Sequence, residues 1–329
     1  MRHPRAVLIR PDGLLDEHIV DALRRGWGLD IAANDVEYAP VGFGSHHWRA
    51  DGWFVTADVF RDGDAATRVD RLRAALRSAR ALRDAGLAFV VAPERTRSDD
   101  VVECIGADVA VALYPHVDGT VLGWRPYPSR NERLAVLDRV VAVHDATDLA
   151  TASAPRTEAF DNPCRERITS VLDDLDRPWA TGPLGERARA LAVEWATSVA
   201  EALDHYDRLA AHVGERASRL RLTHGEPHPG NVIFTPNDGV VLIDWDTALL
   251  APPERDLWML VDEDERIVDD YETRTGVHVD DRALELYRLR WSLEEVDEYL
   301  WCFHEAHEDS EETQIAWNGL GHYLSRLAR

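Results

Sequence analysis

The sequence predicts an α+β chain with a small antiparallel-sheet N-terminal lobe, residues 1–113, and a larger, mainly helical C-terminal lobe, residues 114–329. Three observations predict it. Alternating apolar and polar positions run through residues 36–60 on both sides of an Asp51-Gly52 pair, a strong two-residue hairpin signal. From Tyr114-Pro115 onward, apolar residues recur at three- and four-residue spacing, the period of helices packed on a core. At 329 residues the chain also exceeds what a single hydrophobic core organises comfortably.

Taken in order, residues 14–26 place Leu15, Ile19, Ala22 and Leu23 on one side of a helix that Gly26 stops. Residues 36–38 begin a strand that leads into a glycine-containing turn, Gly42-Phe43-Gly44-Ser45. Strands over 47–50 and 53–60 follow. A helix rich in Arg, Ala and Leu spans residues 66–84, closed by Gly86, and residues 87–91 and 109–113 read as further strands. In the second lobe, helices are expected over 131–145, 164–175, 184–213, 282–307 and 315–327. Residues 222–249 interrupt them: the apolar runs 231–234 and 240–243 flank a Pro236-Asn237-Asp238-Gly239 turn, which makes a hairpin.

Composition narrows the function classes. Sixty acidic residues against 37 basic ones give a net charge of -23, which repels a phosphate backbone and an anionic membrane but draws in a cationic small substrate. The expected partner is therefore a small molecule, not nucleic acid or membrane; the oligomeric state stays open. Every basic residue other than histidine is an arginine, which excludes Schiff-base chemistry and a Walker-type phosphate loop. Cys104, Cys164 and Cys302 are too scattered for a zinc knuckle or a redox pair. No apolar stretch approaches the ~20 residues that span a bilayer, and Met1-Arg2-His3-Pro4 runs into a mixed segment, so a soluble, cytoplasmic protein is expected.

The most informative segment is Thr223-His224-Gly225-Glu226-Pro227-His228-Pro229-Gly230-Asn231, followed across the hairpin by Leu242-Ile243-Asp244-Trp245-Asp246. It offers a carboxylate on a proline-stiffened loop, an amide five residues later, and a second carboxylate at the far end of a hairpin. Phosphoryl transfer needs this set: a base for the hydroxyl proton, and an amide with a carboxylate to hold Mg²⁺ over nucleotide phosphates. A Ser-His-Asp hydrolase is set aside for want of a G-x-S-x-G elbow.

The segment resembles the H-G-D-x-x-x-x-N and I-D-x-x signatures of the aminoglycoside and choline kinase superfamily. The continuation Leu250-Ala251-Pro252-Pro253-Glu254-Arg255-Asp256-Leu257 is closest in pattern to spectinomycin-type phosphotransferases. The resemblance implies a bilobal protein-kinase-like fold, ATP or GTP as phosphoryl donor, Mg²⁺, and a hydroxyl acceptor on an aminoglycoside, aminocyclitol, amino sugar or other polyol. Carried over by position, Glu226 falls at the catalytic base, His224 orients the loop, and Asn231 and Asp244 are the metal ligands. Asp246 is placed to hold a second Mg²⁺ or to face substrate, and Asp256 to brace the catalytic loop. Nucleotide contacts fall to the backbone of Gly42, Phe43, Gly44 and Ser45, to Arg49, to His46 or His47, and to a hinge at Tyr114 and His116. Relatives build substrate pockets on a late helix, where Glu294, Glu295, Glu298 and Trp301 offer carboxylates beside an aromatic face; the same spacing also suits charges facing solvent.

Two departures from the pattern stand out. Glu226 occupies an aspartate position; its intrinsic pKa is similar, but the extra methylene moves the carboxylate by about 1 Å. The strand after the glycine turn carries Thr56 where relatives have a lysine, and the helix over 66–84 lacks the partner glutamate, so both halves of an ion pair are missing together. These departures leave a second reading open, a nucleotide- or metabolite-binding protein without turnover.

Overall fold

The computed structural model describes residues 10–327 apart from 12, 43, 61–63, 124, 217–218, 237–238 and 262–265. Its contacts define two compact units, residues 7–158 with 218–279 and residues 159–217 with 280–329. The first unit begins with α1 (Asp16–Trp27), β1 (Val36–Ala39), β2 (His46–Ala50), β3 (Trp53–Val59), α2 (Ala65–Asp84), β4 (Glu103–Ile105), β5 (Val109–Pro115), β6 (Thr120–Val121), α3 (Arg130–Asp145) and α4 (Thr147–Ala150). The second unit starts with α5 (Arg165–Asp173) and α6 (Gly185–Arg216). The chain returns to the first unit with β7 (Arg221–Thr223), β8 (Val232–Thr235), β9 (Gly239–Leu242), β10 (Leu249–Ala251), α7 (Glu254–Val261) and α8 (Arg266–Thr275), and ends in the second with α9 (Asp281–His304) and α10 (Glu311–Leu327). Segments of the helical half beyond residue 114 therefore belong to both units.

The N-terminal sheet is antiparallel, in the order β1-β2-β3-β5-β4. Strand alternation sorts its residues onto two faces. Trp48, Ala50, Val55, Ala57, Val111 and Leu113 point one way and are buried with Ile19 and Leu23 of α1. The helix is tied to this face by its own first turn, where Asp16 accepts the Trp48 indole N–H at 2.8 Å. Gly28, at φ 74°, ends α1 in the left-handed conformation that glycine adopts without penalty. Ser45, His47, Arg49, Thr56, Asp58 and Tyr114 occupy the other face by the same alternation.

The expected strand over 87–91 does not join this sheet. Phe89 and Val91 instead exchange backbone hydrogen bonds with a single residue, Leu242 of β9, at 2.9 and 3.0 Å, and Val90 forms only an isolated bridge. An apolar run this short follows whichever backbone partner is nearest, and here that partner is the strand ending at Leu242. Val91 packs there with Ile233 and Val241, with Tyr114 and Ile243 at the margin.

Strands β8 and β9 pair from Val232↔Leu242 to Thr235↔Gly239, with β6 added to the edge of β8. Asn237 and Asp238 of the expected turn lie outside the described residues. Strand β7 pairs with β10 through Thr223↔Leu249, and α3 packs on β7, β9, α7 and α8. In the second unit, α5, α6, α9 and α10 bury a core that includes Ile168, Tyr206, Val296, Leu300, Phe303 and Leu320. Among the described residues no helix is long and apolar enough to cross a membrane.

Trp48 is fully buried and joins β2 to α1. Trp48→Ala is expected to cost about 3–5 kcal/mol of unfolding free energy, measured by urea denaturation; a loss below 1 kcal/mol contradicts the anchoring role.

Candidate active site

The loop after β7 is shaped by one carboxylate. Asp256, in the first turn of α7, is completely buried. Its Oδ2 accepts the His224 backbone N–H at 3.0 Å and its Oδ1 the Gly225 N–H at 2.6 Å. The His144 Nε2–H donates to the same Oδ2 at 3.0 Å, while His144 Nδ1 meets the Tyr271 hydroxyl at 2.9 Å. Burial resists ionisation of Asp256, but the His144 hydrogen bond and the nearby positive charge of Arg255 help outweigh it and hold the carboxyl below its usual range.

Further contacts fix the rest of the loop. His224 Nε2 donates to the Ile243 carbonyl at 2.8 Å, and its Nδ1 accepts the Glu226 N–H at 3.2 Å. This tautomer suits an imidazole whose pKa burial pushes down, leaving it neutral at pH 7. Gly225 has φ 101°, and a Cβ there would collide with the Arg255 guanidinium, which binds Thr223 Oγ1 and the Thr247 carbonyl. The Tyr127 hydroxyl donates to the Pro227 carbonyl at 2.7 Å, and His228 Nδ1 accepts the Gly230 N–H at 3.0 Å. Glu226 is thereby carried on a braced loop, with His228 Nε2 3.9 Å from its Oε2.

Asn231 and Asp244 are brought together by the hairpin. The Ile243 N–H bonds the Asn231 carbonyl at 3.0 Å, so Asn231, just before β8, and Asp244, just after β9, flank the open end of the hairpin. Asn231 Nδ2 donates to the Glu226 carbonyl at 3.1 Å, which turns its Oδ1 away as an acceptor. Asp244 holds φ 64°, an uncommon conformation for a non-glycine residue and one that concentrates at functional sites. The candidate ligands, the Asn231 amide oxygen and the Asp244 and Asp246 carboxylates, would offer oxygen donors only. That chemistry fits Mg²⁺, which binds one or two carboxylates and completes its shell with phosphate oxygens and water.

Tyr114 brings the sheet wall to this hairpin. Burial raises its phenol pKa well above 10, and the negative charges of Asp58, Asp244 and Asp246 add to the shift, while a bond to the Thr56 side chain opposes it. Ser45 Oγ donates to Asp58 at 2.7 Å. Gly42 and Gly44 take positive φ angles of 80° and 86° in the turn before β2; Phe43 lies outside the described residues. His46 points to the α1 side of the sheet, where its Nδ1 meets the Tyr38 hydroxyl at 3.0 Å. Arg49 is exposed, and His116 is anchored by its backbone to Gly52, with its ring 3.6 Å from Asp118.

Glu294, Glu295, Glu298 and Trp301 lie on α9, in the other compact unit. There Arg167 of α5 bonds both Asp297 and Glu298, and its guanidinium stands 5.6 Å from the Trp301 ring centre. Burial lifts the Glu298 carboxyl to about 7 against the pull of Arg167. Glu294 accepts the Arg290 Nε–H at 3.0 Å, and Glu295 bonds Tyr299.

The sequence model of the phosphotransferase enzyme family matches residues 43–299, which takes in all but the first residue of the glycine turn, the braced loop, the hairpin and most of α9. The chain belongs to the phosphotransferase enzyme family. It is 28% identical over 305 residues to Protein StrN of Streptomyces griseus, covering 88% of this chain and 86% of that protein. Its fold matches spectinomycin phosphotransferase APH(9)-Ia in complex with ADP and spectinomycin (TM-score 0.70, 15% identity, 95% of this chain and 97% of that one). It also matches amicoumacin kinase hAmiN in complex with AMP-PNP, Ca²⁺ and Ami (TM-score 0.60, 12% identity, 96% and 94%). The phosphotransferase fold is thus the kinase-like α+β architecture with its five-stranded antiparallel sheet, and the chain is an enzyme of the small-molecule kinase type.

Residues that sequence reasoning missed include His144, Tyr271, Tyr127 and Arg255, which reach the loop from α3, α8, the segment before α3, and α7.

Asp256→Ala strips two backbone amides and His144 of their acceptor and is expected to destabilise the protein by about 3–5 kcal/mol, with faster hydrogen exchange at the His224 and Gly225 amides; unchanged exchange there contradicts the brace. A second expectation concerns pH. Burial and His46 lower the His47 pKa to about 4 against the opposing charge of Asp246, so below pH 6.5 the unfolded chain binds a proton that the folded chain refuses, and stability falls with pH through that window. His47→Gln should remove up to about 1.4 kcal/mol per pH unit of this slope between pH 4.5 and 6, read from denaturation at each pH; an unaltered slope contradicts it.

Proposed function

We propose that this chain transfers the γ-phosphoryl group of ATP, or of GTP, to a hydroxyl of a small cationic or sugar-like molecule such as an aminocyclitol, aminoglycoside or amino sugar. The observation that carries the reading is the backbone bond from Ile243 to Asn231, which sets Asn231 and Asp244 at one end of the hairpin, with Asn231 bonded to the loop that bears Glu226. The Glu226 carboxylate accepts the acceptor hydroxyl's proton as that oxygen attacks in line. The Asn231 amide oxygen and the Asp244 carboxylate would hold Mg²⁺, with Asp246 as a further oxygen donor. Bound there, the cation supplies neutralisation of charge on the β- and γ-phosphate oxygens.

His224 keeps Glu226 in register by accepting its N–H, and Asp256 holds the His224 and Gly225 amides; both act through the loop and not on the substrate. The Gly42–Ser45 turn and the Tyr114–His116 hinge bind the nucleotide. The net charge of -23 favours a cationic acceptor. Support for the acceptor class comes from the fold-related spectinomycin phosphotransferase, solved with ADP and spectinomycin. ATP as donor assigns the reaction to the cytoplasm.

ADP release measured across a panel of aminocyclitols, aminoglycosides, amino sugars and polyols tests the proposal. At least one acceptor should stimulate release, with Glu226→Ala lowering kcat about 10²–10⁴-fold and Asp244→Ala abolishing Mg²⁺-dependent turnover. Equal turnover by both variants and the parent refutes these roles, and intact nucleotide binding without transfer to any acceptor favours the binding-protein reading.

A further inference from the structure

No lysine exists in the chain, and Thr56 stands on β3 where the resemblance expects one. The wall around that position is acidic, since Asp58, Asp244 and Asp246 all bear on Tyr114. A nucleotide phosphate bound beside these carboxylates requires a donor from the sheet itself.

His47 has the placement for it. It is the cross-strand partner of Thr56, so its side chain leaves the same face of the sheet one strand away. Its ring stacks on Phe54 with centres 5.1 Å apart and planes 30° from parallel, which fixes its orientation. The Nε2 edge lies under the glycine turn: a Cβ on Gly42 would sit 3.0 Å from Nε2, and Gly42 has φ 80°. The Nδ1 edge is buried and has no hydrogen-bond partner among the described residues. Buried ring nitrogens are nearly always partnered in native proteins, so an orphan at this position points to a ligand atom. The charge of Asp246 also acts on the ring, against the effect of burial.

We infer that His47 donates its Nδ1–H to an α- or β-phosphate oxygen of the bound nucleotide, replacing from the neighbouring strand the lysine that the family pattern places at Thr56. This rests on the nucleotide reading proposed above. His47 is the histidine of the pair that faces the hairpin, because alternation turns His46 to Tyr38 on the opposite face. An imidazole kept neutral by burial acts as a directional donor and not as a point charge. Bulk charge neutralisation then rests on the divalent cation.

Titration calorimetry of the full chain with adenosine, AMP, ADP and ATP, with and without Mg²⁺, tests the inference. His47→Ala should weaken ADP and ATP about tenfold or more and leave adenosine within about twofold, while His47→Asn, whose amide nitrogen stands near the Nδ1 position, retains most of the ADP affinity. A uniform loss for adenosine and ADP, or no loss for either, overturns it. Nitrogen-15 NMR of the unsubstituted protein provides a second readout that does not depend on the variants folding: the His47 Nδ1 resonance should move on adding ADP and not on adding adenosine, and a resonance that ignores ADP overturns the inference. An unsubstituted chain that binds none of the four ligands overturns the nucleotide reading itself, whereas ADP binding that His47→Ala leaves intact removes only the role of His47.

Discussion

The buried Asp256 carboxylate is the constraint on which the rest of the site depends. An ionised carboxylate with no solvent contact is tolerated only when its oxygens are saturated, and here two loop amides and one imidazole do so. Those two amides belong to His224 and Gly225, so satisfying the charge and shaping the loop after β7 are the same event. Positive φ at Gly225, and the Arg255 guanidinium in the space a β-carbon there would need, go with bending the chain tightly enough for consecutive N–H groups to reach one acceptor. His224 then passes the order forward, to Glu226 on one side and to the end of the hairpin through Ile243 on the other.

A hairpin suits a site that needs an amide oxygen and a carboxylate side by side, because strand register sets their separation without any long side chain. Asn231 and Asp244 are thirteen positions apart in sequence yet flank adjoining strand ends. The sheet facing them carries few positive charges. With Asp58 on the wall and Asp244 and Asp246 on the hairpin, the surroundings of Tyr114 are acidic, and the chain holds no lysine to offset them.

Most of the large elements were legible in the sequence because they obey a period. Helices α1, α2, α3, α6 and α9 begin and end within a few residues of the apolar pattern, and β1, β2, β3 and β5 follow alternation around the Asp51-Gly52 turn. The short strands β4, β6, β7 and β10 have two or three residues and no period to detect, and residues 87–91 looked like a strand yet pair with one residue of β9. In the site, the motif residues were visible because they are contiguous or separated by one hairpin. His144, Tyr127 and Tyr271 were not, since each reaches the site through a tertiary contact from a distant helix or loop, and no local spacing signals such a contact. The choice between His46 and His47 was readable in principle: Trp48 is the apolar residue that must face the core, and alternation then turns His47 to the opposite face.

The proposed chemistry requires the loop and the hairpin end to converge on one divalent cation and one triphosphate. A crystal structure of the chain with Mg²⁺ and a non-hydrolysable ATP analogue would show whether they do. Mg²⁺ is expected at about 2.0–2.1 Å from Asn231 Oδ1 and an Asp244 oxygen, with phosphate oxygens completing its shell and the γ-phosphate facing Glu226. A nucleotide whose phosphates lie away from the hairpin, or a cation held by other side chains, would contradict it.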